Sequence, residues 1–67
     1  MELKIDMLKG AKAIAEFLGE DERRVFYMLE KKQIPGFKFG GLWNARKSTL
    51  TKHIERLEAE ALAEEVA

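Results

Sequence analysis

Ile34-Pro35-Gly36-Phe37-Lys38-Phe39-Gly40-Gly41-Leu42-Trp43-Asn44-Ala45 is the stretch on which the fold turns. Pro35-Gly36 stops a preceding helix, the residues after it are aromatic and alternating, and Gly40-Gly41 supplies a chain reversal, which together predict a β-hairpin. Loop length then sets the register. A two-residue loop places Phe39 opposite Leu42. A three-residue loop, Gly40 to Leu42, places Phe39 opposite Trp43 and Phe37 opposite Ala45, and gathers every apolar side chain except Leu42 on one face. The three-residue loop is the expectation. Phe37, Phe39 and Trp43 then hold the hairpin against the core, while Lys38, Leu42, Asn44 and Arg46 point outward.

Upstream, Ala11, Ile14, Phe17 and Leu18 recur at helical spacing, and Gly19 supplies the left-handed residue that ends a helix. Asp21 caps a second helix, whose buried face is Val25, Met28, Leu29 and the stem of Lys32, and which runs until Pro35-Gly36. Downstream, the hydroxyl of Ser48 caps a last helix through Leu50, Ile54, Leu57 and Ala61, with the pattern failing at Glu64. Leu3 to Met7 alternates with the period of a short half-buried strand, or is a frayed terminus. The expected architecture is one domain over 1–67, mainly α with a small two-stranded hairpin and three helices. Its core spans 9–57 and an acidic helical tail covers 58–67.

At 67 residues the chain accommodates one small domain that buries only about 60% of its unfolded surface. It has no Cys and one His, which excludes disulfides, thiolate metal sites and a His cluster, so neither metal nor cofactor is expected. No apolar run approaches the ~20 residues of a membrane span, and Met1-Glu2-Leu3-Lys4 lacks a signal-peptide start. The expected setting is cytoplasmic, beside the nucleoid. The net charge of zero conceals a gradient: Lys9 to Arg46 holds eight Lys/Arg against five Asp/Glu, and Lys47 to Ala67 holds three against five. A basic middle suits a small binding module with a separate acidic tail, although a split this modest also arises by chance.

Two short helices joined at a Gly turn are the helix-turn-helix arrangement, in which the second helix enters the DNA major groove. On that second helix Arg23 and Tyr27 lie opposite the Val25/Met28/Leu29 face, flanked by Arg24 and Lys31. Arg bonds guanine edges bidentately and Tyr donates to phosphate. Arg23, Arg24 and Tyr27 are therefore assigned to base edges, and Lys31 to phosphate. Glu30 on the same side repels phosphate unless it accepts from a cytosine amino group. The bland alternative is a solvated helix face, which the adjoining Gly turn and hairpin make the lesser reading.

Ala15-Glu16-Phe17-Leu18-Gly19, Arg24-Val25-Phe26, Ile34 to Trp43 and Arg46-Lys47-Ser48-Thr49-Leu50 resemble the excisionase-type winged helix-turn-helix family, which is related to MerR-type DNA-binding domains. The likeness covers roughly Lys9 to Leu57, and Pro-x-x-Lys-x-Gly-Gly-x-Trp is its most diagnostic segment. It implies double-stranded DNA as partner, with the hairpin wing along the backbone or in the minor groove. It also implies a role as a small transcription regulator or recombination directionality factor, with several copies side by side. Lys38, Asn44 and Arg46 are the wing residues carried to DNA. The family often has Arg where this chain has Leu42 and Asn44, and an apolar residue where it has Glu20.

Other chemistries find no residues. His53 sits beside the Leu50/Ile54/Leu57 stripe with no catalytic companion, and Gly40-Gly41 precedes no helix and so is no phosphate loop. No enzyme class is supported. Leu50, Ile54, Leu57 and Ala61 are spaced four, three and four, a d-a-d-a seam. They either complete the monomer core at Leu50 and Ile54 or pair two copies through Leu57 and Ala61, and Leu42 offers a second self-association contact. The expectation is weak homo-oligomers, or cooperation on repeated DNA sites. An alternative function is a protein-interaction module whose acidic last helix docks on a partner such as a recombinase or polymerase subunit.

Overall fold

A computed structural model describes residues 2–66; Met1 and Ala67, the ends of the expected domain and of its acidic tail, lie outside the described residues. The order of elements is α1 (Leu3–Asp6), β1 (Met7–Lys9), α2 (Gly10–Leu18), α3 (Glu22–Glu30), β2 (Phe37–Phe39), β3 (Leu42–Arg46) and α4 (Lys47–Val66). The chain is mainly helical, with a small antiparallel sheet in the order β1-β3-β2.

The α2–α3 pair forms for the reasons its sequence suggests. Gly19 closes α2 at φ +71°, and the Glu20 N–H returns to the Ala15 carbonyl at 2.9 Å. The Asp21 carboxylate accepts from the backbone N–H groups of Arg23 and Arg24 at 3.0 and 3.3 Å, capping α3. Ile14 and Ala15 of α2 and Val25 and Leu29 of α3 are buried together with Leu8, Ile34, Ala45 and Leu50. Helix α3 ends at Glu30, short of the expected stop at Pro35. Lys32 adopts φ +58°, and the Lys32 and Gln33 N–H groups return to the Leu29 and Met28 carbonyls at 3.1 and 2.8 Å. This Schellman closure frees the chain to bury Ile34, which the following proline bars from helical geometry.

The sheet corrects the expectation in two ways. It has three strands rather than two, because Met7–Lys9 pairs with Asn44–Arg46. The alternation of Leu3 to Met7 misled, since Leu3–Asp6 is a short fourth helix beyond the three expected, with Leu3 and Ile5 exposed and Asp6 fully buried. The hairpin loop is also two residues, not three: Phe39 pairs with Leu42, Lys38 with Trp43 and Phe37 with Asn44. Gly40 and Gly41 have φ +63° and +81°, the double positive φ of a type I′ turn, whose twist matches that of the flanking strands. Shortening the loop by one residue moves Trp43 and Ala45 to the face opposite the two phenylalanines. Trp43 packs against the core as expected, whereas Phe37 and Phe39 remain exposed. Gly36 lets β2 approach the core, since a Cβ there would overlap the Leu29 side chain and stand 3.3 Å from the Asn44 carbonyl oxygen.

Helix α4 starts at Lys47, and Ser48 does not cap it with its own hydroxyl. The buried Asp6 carboxylate does so from across the sheet. It accepts from the Ser48 N–H (2.9 Å), the Ser48 hydroxyl (2.6 Å) and Arg46 Nε (2.9 Å). The Ser48 hydroxyl above all, with the Ser48 N–H and the Arg46 charge, holds the Asp6 carboxyl below the ordinary aspartate range against the opposing effect of burial. A carboxylate at a helix N-terminus also meets the positive end of the helix dipole. Among the described side chains Leu50 is the last α4 residue in the core, and every residue from Ile54 to Glu64 is exposed. No helix among the described residues is long and apolar enough to cross a membrane.

Candidate nucleic-acid interface

Helix α3 presents Arg23, Arg24, Phe26 and Tyr27 to solvent while Val25 and Leu29 anchor it. Arg23 and Phe26 line a shallow depression of about 520 Å³ with Asp21 and Glu22. Arg24 Nε lies 3.5 Å from Glu20 one turn earlier, an exposed pair worth little that leaves the guanidinium available for exchange. Glu20, where an apolar residue was expected, thus serves as a charge partner rather than packing the turn. The Lys31 ammonium stands 5.7 Å from the Tyr27 ring centroid, a cation–π contact that gathers these two groups at the C-terminal end of the helix. Arg23, Arg24, Tyr27 and Lys31 therefore all occupy the accessible surface of α3 and its C-cap. Acidic Glu22 and Glu30 share that surface and limit how closely it can approach phosphate.

The hairpin residues divide differently. Lys38 is exposed, but lies on the Trp43 side with its ammonium 5.1 Å from the indole centroid. Asn44, expected to point outward, is 2% exposed; its Nδ2 donates to the Phe39 and Leu42 carbonyls at 3.2 and 2.8 Å and so locks the two-residue turn. As the middle residue of the central strand it is covered from both sides. Arg46 is half-buried and engaged by Asp6 at 2.9 Å, so its guanidinium serves the sheet–α4 junction. On the opposite face from Trp43, Phe39 and Leu42 are 65% and 57% exposed.

Helix and hairpin meet in a groove of about 280 Å³ bounded by Lys12 of α2, Glu22 and Phe26 of α3, and Lys38, Gly41 and Leu42 of the hairpin. Phe26 lines both this groove and the α3 depression, a position that the α3 periodicity shows only as off the buried face. Charge completes the surface: from Lys31 to Ile54 the chain has six Lys/Arg and no Asp/Glu. That acid-free run contains the whole hairpin and the start of α4.

The residues assigned to self-association separate as well. Leu42, Ile54, Leu57 and Ala61 are exposed and Leu50 is buried in the monomer. His53 sits at the boundary of the core. With the proton on Nε2 it donates to the Gln33 carbonyl at 3.2 Å, while Nδ1 accepts from Arg56 at 3.2 Å. Comparison of the chain with protein-family models, curated proteins and solved structures finds no match.

Proposed function

We propose that this chain binds double-stranded DNA sequence-specifically, as a winged helix-turn-helix module of excisionase type. Helix α3 lies in the major groove, and the β2–β3 hairpin acts as the wing at the backbone or minor groove. The observation that carries the reading is that α3, which exposes Arg23, Arg24 and Tyr27, adjoins the tip of an acid-free hairpin across a groove lined by Lys12, Glu22, Phe26, Lys38 and Leu42. Arg23 and Tyr27 read base edges, Lys31 neutralises phosphate, and Arg24 exchanges Glu20 for the nucleic acid. The role of such a module is small-scale transcription regulation or control of recombination direction.

Duplex selection from a random pool, followed by titration over a range of salt, tests this. Arg23→Ala should cost on the order of 1–3 kcal/mol and relax preference at one base position, whereas Lys31→Ala should weaken all sequences alike and reduce the salt slope by about one. Equal losses from both on selected and random duplexes would reject the assignment.

The exposed stretch of α4 favours a second reading. Its apolar residues Ile54, Leu57 and Ala61 have Glu55, Glu58, Glu60 and Glu64 nearby, a composition suited to docking a basic partner protein. DNA binding that survives deletion of the residues after Leu57 separates the two functions.

A further inference from the structure

We propose that the hairpin tip is a wedge: Phe39 and Leu42 enter the minor groove of duplex DNA together and unstack a single base-pair step, bending the duplex. This inference rests on the DNA-binding reading and specifies what the wing does there.

Phe39 and Leu42 are cross-strand partners adjoining the Gly40-Gly41 turn, so their side chains rise from one face side by side. They are 65% and 57% exposed, in a domain small enough to need its apolar residues inside. The tip beyond them is bare, with nothing within 4 Å of where a Cβ would stand at either glycine. It is therefore open to an approaching partner. The hairpin's one cation from Phe37 to Ala45, Lys38, is on the other face over Trp43. The face that carries Phe39 and Leu42 thus presents apolar groups to its partner in place of the expected arginines.

Charge along the chain points to that partner. The tip lies within the acid-free run from Lys31 to Ile54, and Leu42 shares a groove with Phe26 of α3 that Lys12 and Lys38 line against the single acid Glu22. An apolar projection set in a cationic stretch of chain matches a polyanion with an apolar interior, which is stacked DNA. Phe and Leu are side chains that unstack minor-groove steps, and pyrimidine–purine steps yield at least cost. Asn44 supports the wedge from behind, because its two bonds to the Phe39 and Leu42 carbonyls clamp the turn at the residues that would bear the load.

The test uses duplexes of about 30 base pairs enriched from a random pool by the wild-type protein, end-labelled for energy transfer and carrying 2-aminopurine at successive steps. Wild type should shorten the end-to-end distance and raise 2-aminopurine emission several-fold at one pyrimidine–purine step. Phe39→Ala with Leu42→Ala should abolish both signals and lower affinity on the order of ten-fold, with an unchanged salt slope because no charge is removed. Phe39→Leu should keep the bend. If the double variant melts early, Leu42→Ala alone provides the same comparison. A straight wild-type complex, or a bend that persists in the variants, overturns the wedge while leaving DNA binding intact. So does a change confined to sedimentation of the free protein or to cooperativity, which would make the tip a contact between copies. If no duplex is enriched, the DNA-binding reading fails and the wedge with it.

Discussion

The two ends of the hairpin invert the usual arrangement of a small domain. Where β3 runs into α4, two polar groups are buried beside Ala45 and Leu50: Asn44, and the Asp6 carboxylate that binds Arg46 and Ser48. At the tip the exposed groups are apolar, Phe39 and Leu42. Buried polar groups are tolerated when fully hydrogen-bonded, and at this end each has its partners within 3.2 Å. The buried Nε1 of Trp43, between the two ends, has no partner among the described residues. The contrast teaches that residue polarity is a poor guide to surface here. The polar residues of the hairpin close its turn and anchor the last helix, and its apolar residues are the ones left free to contact another molecule.

The largest expected effect separates the two faces of the hairpin. Trp43→Ala should destabilise by about 3 kcal/mol, a large share of the stability of a domain this size. A melt showing Phe37→Ala as costly as Trp43→Ala would restore the three-residue loop and break the comparison.

Asn44→Ala should come next, costing about 1–3 kcal/mol by leaving the Phe39 and Leu42 carbonyls without their amide donor. Urea denaturation measures it. A variant of unchanged stability but reduced DNA affinity would return Asn44 to the surface.

Asp6 sharpens the polar end through pH. Its folded pKa lies below the unfolded value of ~3.9, so its contribution is complete above that value and is lost as pH falls through the lower folded pKa. Wild type should therefore lose melting temperature on acidification more steeply than Asp6→Asn in this window, with Asp6→Asn less stable at neutral pH. Parallel acid profiles would show that the carboxylate does not hold α4.

The smallest effect belongs to the tip. Phe39→Ala should change stability by no more than ~0.5 kcal/mol, since the ring is mostly in solvent. A larger loss would mean that Phe39 packs in the native state, and the tip would no longer be free to act on a partner.

Much of the helical framework was legible because its signals are local. The Gly19 closure, the Asp21 cap and the Val25/Leu29 face each act within about one turn of the residues they order, and all three are present. The α3 face with Arg23 and Tyr27 followed from the same periodicity. Missed were the early end of α3 at a left-handed Lys32, the third strand, and the exposure of Phe37 and Phe39. The assignment of Asn44 to the outer surface also fell, since a short alternating segment does not say which of its two faces will be covered, while Arg46 stays half-exposed and is held by Asp6.

By itself, then, the sequence determined that α2 and α3 form and where their junction lies, that a hairpin turns near Gly40-Gly41, and that the charges between Lys31 and Ile54 are purely cationic. Only the tertiary structure decided the register of that hairpin and the anchoring of α4. Gly40-Gly41 is compatible with both loop lengths. In the two-residue form Phe39 pairs with Leu42, Asn44 reaches both of their carbonyls, and Trp43 packs against the core. The Asp6–Ser48 cap joins groups 42 positions apart, a contact that exists only once β1 has paired with β3 and brought the two together.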